Sequence, residues 1–107
     1  MKAERLKGHL DVLLLAAVAT GEASHGYAIA RRLREQSQGL LDLGEGTLYP
    51  ALHRLETAEL VASSWATVGG RRRRVYAITP AGRAALSRER EEWGAFARAV
   101  DAILEAG

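Results

Sequence analysis

Between Glu45 and Pro80 the chain reads EGTLYPALHRLETAELVASSWATVGGRRRRVYAITP, and the order of residues there restricts the fold more than any other stretch. Leu60 to Val68 and Arg74 to Ile78 are rich in Val, Trp, Tyr and Thr, which suit pleated, half-buried strands. Gly69-Gly70 and four consecutive arginines, Arg71, Arg72, Arg73 and Arg74, stand between them. Paired glycines accept the backbone angles of a tight turn, so this segment is predicted to be a hairpin with a basic tip. A short helix over about Gly46 to Ala58 precedes it. Leu48, Leu52 and Leu55 fall on one side of that helix, at spacings of four and three, and read as core. Thr47, Pro50, Ala51 and Arg54 fall on another side, with Tyr49 and His53 beside them. Pro50 is expected in the first turn, where its missing N–H costs little.

Two more helices are predicted upstream. From about Glu4 to Thr20, Leu6, Leu10, Leu13, Leu14, Ala17 and Val18 follow helical spacing, with Val12 and Leu15 on the other side. A helix apolar on most sides is usually covered by more than one neighbour. Gly21 is a natural stop. Ser24 is the expected N-cap of the second helix, which runs through Tyr27, Ile29 and Leu33 to about Gln38 and ends at Gly39. Tyr27 is expected between helices, and Arg31, Arg32, Arg34 and Glu35 on the polar side. After the hairpin, Thr79 and Pro80 form a helix start, and this last helix runs to about Glu105. Leu86, Trp93 and Val100 recur seven apart, with Phe96, Ala97, Ile103 and Leu104 between them. The repeat covers under three heptads, so it reads as a partner-facing stripe more than as a coiled coil.

Composition narrows the function. The chain has 107 residues, enough for one small domain. It holds no cysteine, which removes disulfides and thiolate metal sites and fits a reducing, cytoplasmic setting. The longest near-apolar run, Val12 to Ala19, is too short to span a bilayer, and no signal peptide is read at the N-terminus. His9, His25 and His53 lie on different predicted elements, without metal-ligand spacing. No Gly-rich phosphate loop, paired-carboxylate motif or Ser–His pattern points to an enzyme, and no cofactor is expected. Net charge is only +2, but residues 71–90 hold seven arginines and one acid, whereas residues 91–107 hold one arginine and four acids. One concentrated basic segment suits a local footprint on a polyanion.

Three helices followed by a hairpin form the layout of a winged helix-turn-helix. The expected fold is mainly α with a small β-hairpin: a DNA-binding unit over residues 1–79 and a C-terminal dimerisation helix over residues 80–107. In such a unit the third helix enters the major groove. Thr47, Tyr49, His53 and Arg54 are the candidates for base contact, and Arg71, Arg72, Arg73 and Arg74 for phosphates, with Arg72 and Arg73 preferred because Arg74 can pair with an acid. A winged-helix protein-interaction module without DNA binding is the competing reading; the low total charge favours it and the arginine run opposes it. Trp65 is expected to be a half-buried strand residue.

The segments His25-Gly26-Tyr27, GTLYPALHRLE from Gly46 to Glu56, GGRRRRVY from Gly69 to Tyr76 and ITPAGR from Ile78 to Arg83 resemble the PadR family of bacterial transcriptional regulators. The resemblance covers nearly the whole chain, and its length is similar to the short members with a single C-terminal helix. It implies a homodimeric repressor that binds an inverted-repeat operator in double-stranded DNA and is released by a small molecule. It also implies a dimer contact made by the last helix together with the first, through Leu10, Leu14, Leu86, Trp93, Phe96, Val100, Ile103 and Leu104. Packing within the dimer is the expected role of Trp93 and Phe96. The same aromatic pair is a candidate for stacking on an aromatic, phenolic or drug-like effector. Glu59 departs from the family pattern, which has glycine just after the third helix. A left-handed conformation there would cost a non-glycine residue roughly 1 kcal/mol.

Overall fold

The computed structural model describes residues 3–107, and their side chains from His9 onward. Leu6, expected on the core stripe, lies outside the described side chains. The elements run α1 (Ala3–Ala19), β1 (Ser24–His25), α2 (Gly26–Gln36), α3 (Glu45–Thr57), β2 (Val61–Val68), β3 (Arg71–Ile78) and α4 (Pro80–Ala106). The three strands form an antiparallel sheet in the order β1-β3-β2.

The hairpin turn consists of Gly69 and Gly70 alone, with φ of 60° and 77°. Positive φ at both central residues is the two-residue turn whose twist matches that of the flanking strands. Pairing therefore resumes at once, Val68 opposite Arg71, and all four arginines lie on β3 instead of at the tip. Charged side chains are tolerated there because that end of the sheet is wet on both faces.

The helix ends also differ from the sequence reading. Ser24 pairs with Tyr76 in β1, so the N-cap of α2 is His25, whose Nδ1 accepts the Ala28 N–H at 3.3 Å. At the end of α2, Gln38 as well as Gly39 takes positive φ. Arg32, read as solvent-facing, instead reaches back to the end of α1. It donates to the carbonyl oxygens of Ala17 (2.6 Å) and Thr20 and to Ser24 Oγ (2.7 Å). Carbonyls at a helix C-terminus lack the usual donors from the next turn, and the Ala17 oxygen is otherwise reached by the Thr20 N–H at 3.4 Å. Pro50 falls in the second turn of α3, where it removes an intrahelical hydrogen bond instead of sitting at a free N–H. At the end of α3 the Leu60 N–H reaches Leu55 O and the Glu59 N–H reaches Glu56 O, the paired bonds of a Schellman motif. Glu59 sits at φ 62°, in the left-handed region its position demands.

The core joins Leu14, Leu15, Ala17 and Val18 of α1 to Ile29, Leu33, Leu48, Leu52, Leu55, Val61, Tyr76 and Leu86. Leu15 takes the place expected for Leu13, which is exposed. Ala51, read as outward, is fully buried, because the packed side of α3 is wide enough to include it in the core with Leu48, Leu52 and Leu55. The first turn of α4 is locked to this body. Thr79 Oγ1 accepts the Gly82 N–H at 3.0 Å and donates to Glu59 O at 2.7 Å. A Cβ at Gly82 would overlap the carbonyl oxygen of Leu60 and lie 2.7 Å from Ile78 Cγ1, so this turn of helix requires glycine.

Candidate nucleic-acid interface

The outward side of α3 is narrower than its sequence suggested. Thr47 and His53 are exposed, and Tyr49 is partly so. One edge of the Tyr49 ring rests on Gly26, where a Cβ would lie 2.8 Å from Tyr49 Cε1. That contact explains the glycine between His25 and Tyr27, and it fixes the phenol at the junction of α2 and α3. Arg54 is already engaged. Its Nη2 and Nε donate to the two carboxylate oxygens of Asp11 on α1, at 2.8 and 3.2 Å. The Asp11 hydrogen bond raises the guanidinium pKa above its ordinary value. Arg54 is thus a tie between α1 and α3, a role its sequence reading as a base-contacting residue did not include.

Strand alternation divides the arginine run. Arg72 and Arg74 share a face of the hairpin with Trp65, which stands opposite Arg74; Arg71 and Arg73 occupy the other face. Arg74 Nε donates to Ser63 Oγ at 3.0 Å, and its Nη2 lies 3.7 Å from Glu56 Oε2 in the last turn of α3. Ser63 Oγ in turn donates to Glu56. Arg74 therefore joins the wing to α3, while Arg72 makes no hydrogen bond or ion pair among the described residues. Trp65, expected to be half-buried, is exposed, because the core ends at Ser63 and the sheet continues past it.

On the opposite face, Arg73 and Arg31 both act on His25. Its pKa is lowered first by burial, then by those two guanidinium groups. Tyr27, expected between helices, is exposed, with its ring stacked beside His25 at 6.3 Å and the Arg31 guanidinium 6.0 Å from its centroid. The start of α2 thereby adds Tyr27 and Arg31 to the basic surface. Neither was assigned a DNA-contacting role from the sequence; the signal lay in HGY followed by Arg31 one turn later. Tyr76, buried on the same side of the sheet as Trp65 and Arg74, has its pKa raised by burial first and by Glu56 second.

A separate groove of about 290 Å³ opens between α1 and α4. His9, Val12, Leu13 and Ala16 form one wall, Trp93 and Phe96 the other. The Trp93 ring meets His9 edge-on at 5.3 Å and Phe96 at 5.6 Å. Of the residues expected at a dimer contact, Leu14 and Leu86 are buried within this chain's own core, at 0% and 4% exposure, and have no surface to offer a partner. Leu10 and Val100 are half-buried, and Trp93, Phe96, Ile103 and Leu104 are exposed. Among the described residues, no cluster of His, Asp and Glu could hold a metal ion, and no helix is long and apolar enough to cross a membrane.

The model of the transcriptional regulator PadR-like family matches residues 14–88. A transcriptional regulator of Mycobacterium tuberculosis is 56% identical over 55 residues, 51% of this chain and 51% of that protein, so the match spans about half of that relative. An uncharacterized protein of Lysinibacillus sphaericus is 28% identical over 98% of this chain and 96% of its own length. Among solved structures, a PadR family transcription regulator from Clostridium difficile superimposes with a TM-score of 0.79 at 31% identity, covering 91% of this chain and 99% of that one. A PadR-like transcriptional regulator from Bacillus cereus superimposes with a TM-score of 0.81 at 26% identity, covering 95% of this chain and 97% of that one.

Proposed function

The chain belongs to the PadR-like family of transcriptional regulators, which are not enzymes, and on that premise we propose that it is a homodimeric repressor acting on an inverted-repeat operator in the cytoplasm. In this reading α3 enters the major groove, where Thr47, Tyr49 and His53 face the base edges. The wing lies along the backbone or minor groove, where its arginines displace counterions from phosphates. The observation that carries the reading is the link from Glu56 through Ser63 to Arg74. It joins the exposed side of α3 to the arginine-bearing strand, so both approach a duplex as one unit.

The exposed stripe on α4 supports a second copy as partner, which would set the spacing between two half-sites. The groove beside Trp93 and Phe96 supports release by a flat aromatic molecule, tested by quenching of Trp93 emission in a Trp65→Phe variant. Unchanged emission across a panel of planar aromatic compounds would remove the effector from the reading.

The central test is anisotropy titration of a labelled duplex from the region upstream of the protein's own coding sequence. Replacing Arg72 and Arg73 with alanine should weaken binding to every duplex. It should also flatten the plot of log affinity against log salt by about 1–2 units. Unchanged affinity and slope would remove the wing from the interface. Absence of wild-type binding even at low salt would favour a protein-interaction module instead.

A further inference from the structure

We propose that Trp65 is a positioning residue for DNA binding, which holds the Arg72 guanidinium in place before a duplex arrives; this rests on the DNA-binding reading above. Trp65 is a large apolar side chain left 56% exposed beyond the end of the core. The guanidinium carbon of Arg72 lies 5.3 Å from the Trp65 ring centroid and that of Arg74 lies 5.4 Å from it. Both distances fall within the reach of a cation–π contact, and tryptophan is the strongest partner for one.

The two arginines use the ring differently. Arg74 is committed elsewhere, to Ser63 Oγ and Glu56. Arg72 has the indole as its one described partner. A contact with a ring face leaves the N–H donors of a planar guanidinium unspent, and those are the groups that bind phosphate oxygens. A free arginine would lose several rotamers on binding, whereas one already resting on a ring loses fewer. The Glu56–Ser63–Arg74 chain fixes one flank of Trp65 to α3, so the platform is referenced to the helix that enters the groove.

An indole between two guanidinium groups could instead serve only to stiffen the hairpin, as cross-strand pairs do. The two roles separate in a double-mutant cycle on the full chain, using a labelled random-sequence duplex at low salt as the probe. Arg72 should act on such a duplex through phosphate, so no operator is needed. Trp65→Leu, which keeps an apolar strand residue without a π face, should weaken binding about two- to fivefold, the equivalent of one exposed cation–π contact. In an Arg72→Ala background the same change should cost nothing further, and Trp65→Phe should retain most of the wild-type affinity.

A purely structural Trp65 would disturb Arg71 and Arg73 as well, so Trp65→Leu would then be equally costly in both backgrounds. That result overturns the proposal, as does a Trp65→Leu variant that binds like wild type. If Trp65→Leu melts early, Trp65→Phe and Trp65→Tyr in both backgrounds provide the same comparison. A wild-type protein that fails to bind the random duplex at low salt overturns the DNA-binding reading itself, and the Trp65 proposal with it.

Discussion

The two ends of α4 obey opposite rules. Its start is tied into the chain: Thr79 caps the helix and bonds to Glu59, Gly82 lies flush on Leu60, and Leu86 is buried in the core. Toward its end Ile103 and Leu104 are each 71% exposed. Both ends are equally helical, so the difference is not one of local structure. The first end holds the domain together, and the second presents apolar surface that no described residue of the same chain covers. A helix can thus be half packed core and half uncovered apolar surface.

The largest expected effect breaks the comparison at the exposed end. Changing Val100 and Ile103 to glutamate should yield monomers by sedimentation. Losing the second half-site contact should lower affinity for an inverted-repeat duplex by about a hundredfold or more. A variant that stays dimeric would show that the stripe is not the interface. At the locked end, Gly82→Ala should destabilise the fold by about 2–3 kcal/mol in urea melts, although alanine is the better helix former. The backbone of Leu60 cannot retreat without breaking the end of α3; a neutral or stabilising result would show that the junction is looser than its geometry. The smallest effect sharpens the same junction. Glu59→Gly should stabilise by about 0.5–1 kcal/mol, since glycine takes the left-handed angle without strain but loses more entropy on folding. Equal melting temperatures would mean that the Schellman bonds offset the strain already.

How much of this was legible depends on the range of each contact. Gly69-Gly70 announced the turn, and the spacing of Leu48, Leu52 and Leu55 announced the buried side of α3, because both signals are local. The arginines were misplaced at the tip because charge was read as turn chemistry. The two glycines already satisfied the turn, and β-pairing took everything after them. The tie made by Arg54 was missed for the opposite reason: its partner Asp11 lies 43 residues away, and no period or motif reveals such a pairing. Ala51 and Leu15 moved inward because helical spacing fixes the direction of a side chain but not how wide a face the neighbours cover. Leu14 entered the dimer set on the resemblance and Leu86 also on its seven-residue spacing from Trp93, and the packing of this one chain claimed both. Gly26 and Gly82 were visible as motif letters, yet what touches them, Tyr49 and Leu60, emerged only once the chain was folded.

The glycine pair at the wing tip also determines a width. Two antiparallel strands lie about 4.8 Å apart, and the minor groove of B-DNA is about 6 Å across. Gly69 and Gly70 carry no side chain, and a Cβ built on either would meet open space instead of neighbours. The tip is therefore as thin as a polypeptide hairpin can be, and any other residue there would blunt it. The arginines begin one residue behind this edge and are divided between the two faces of the hairpin. A hairpin of that outline is shaped as a blade with charged flanks, suited to entering a cleft whose two walls are negative and whose floor need not be touched.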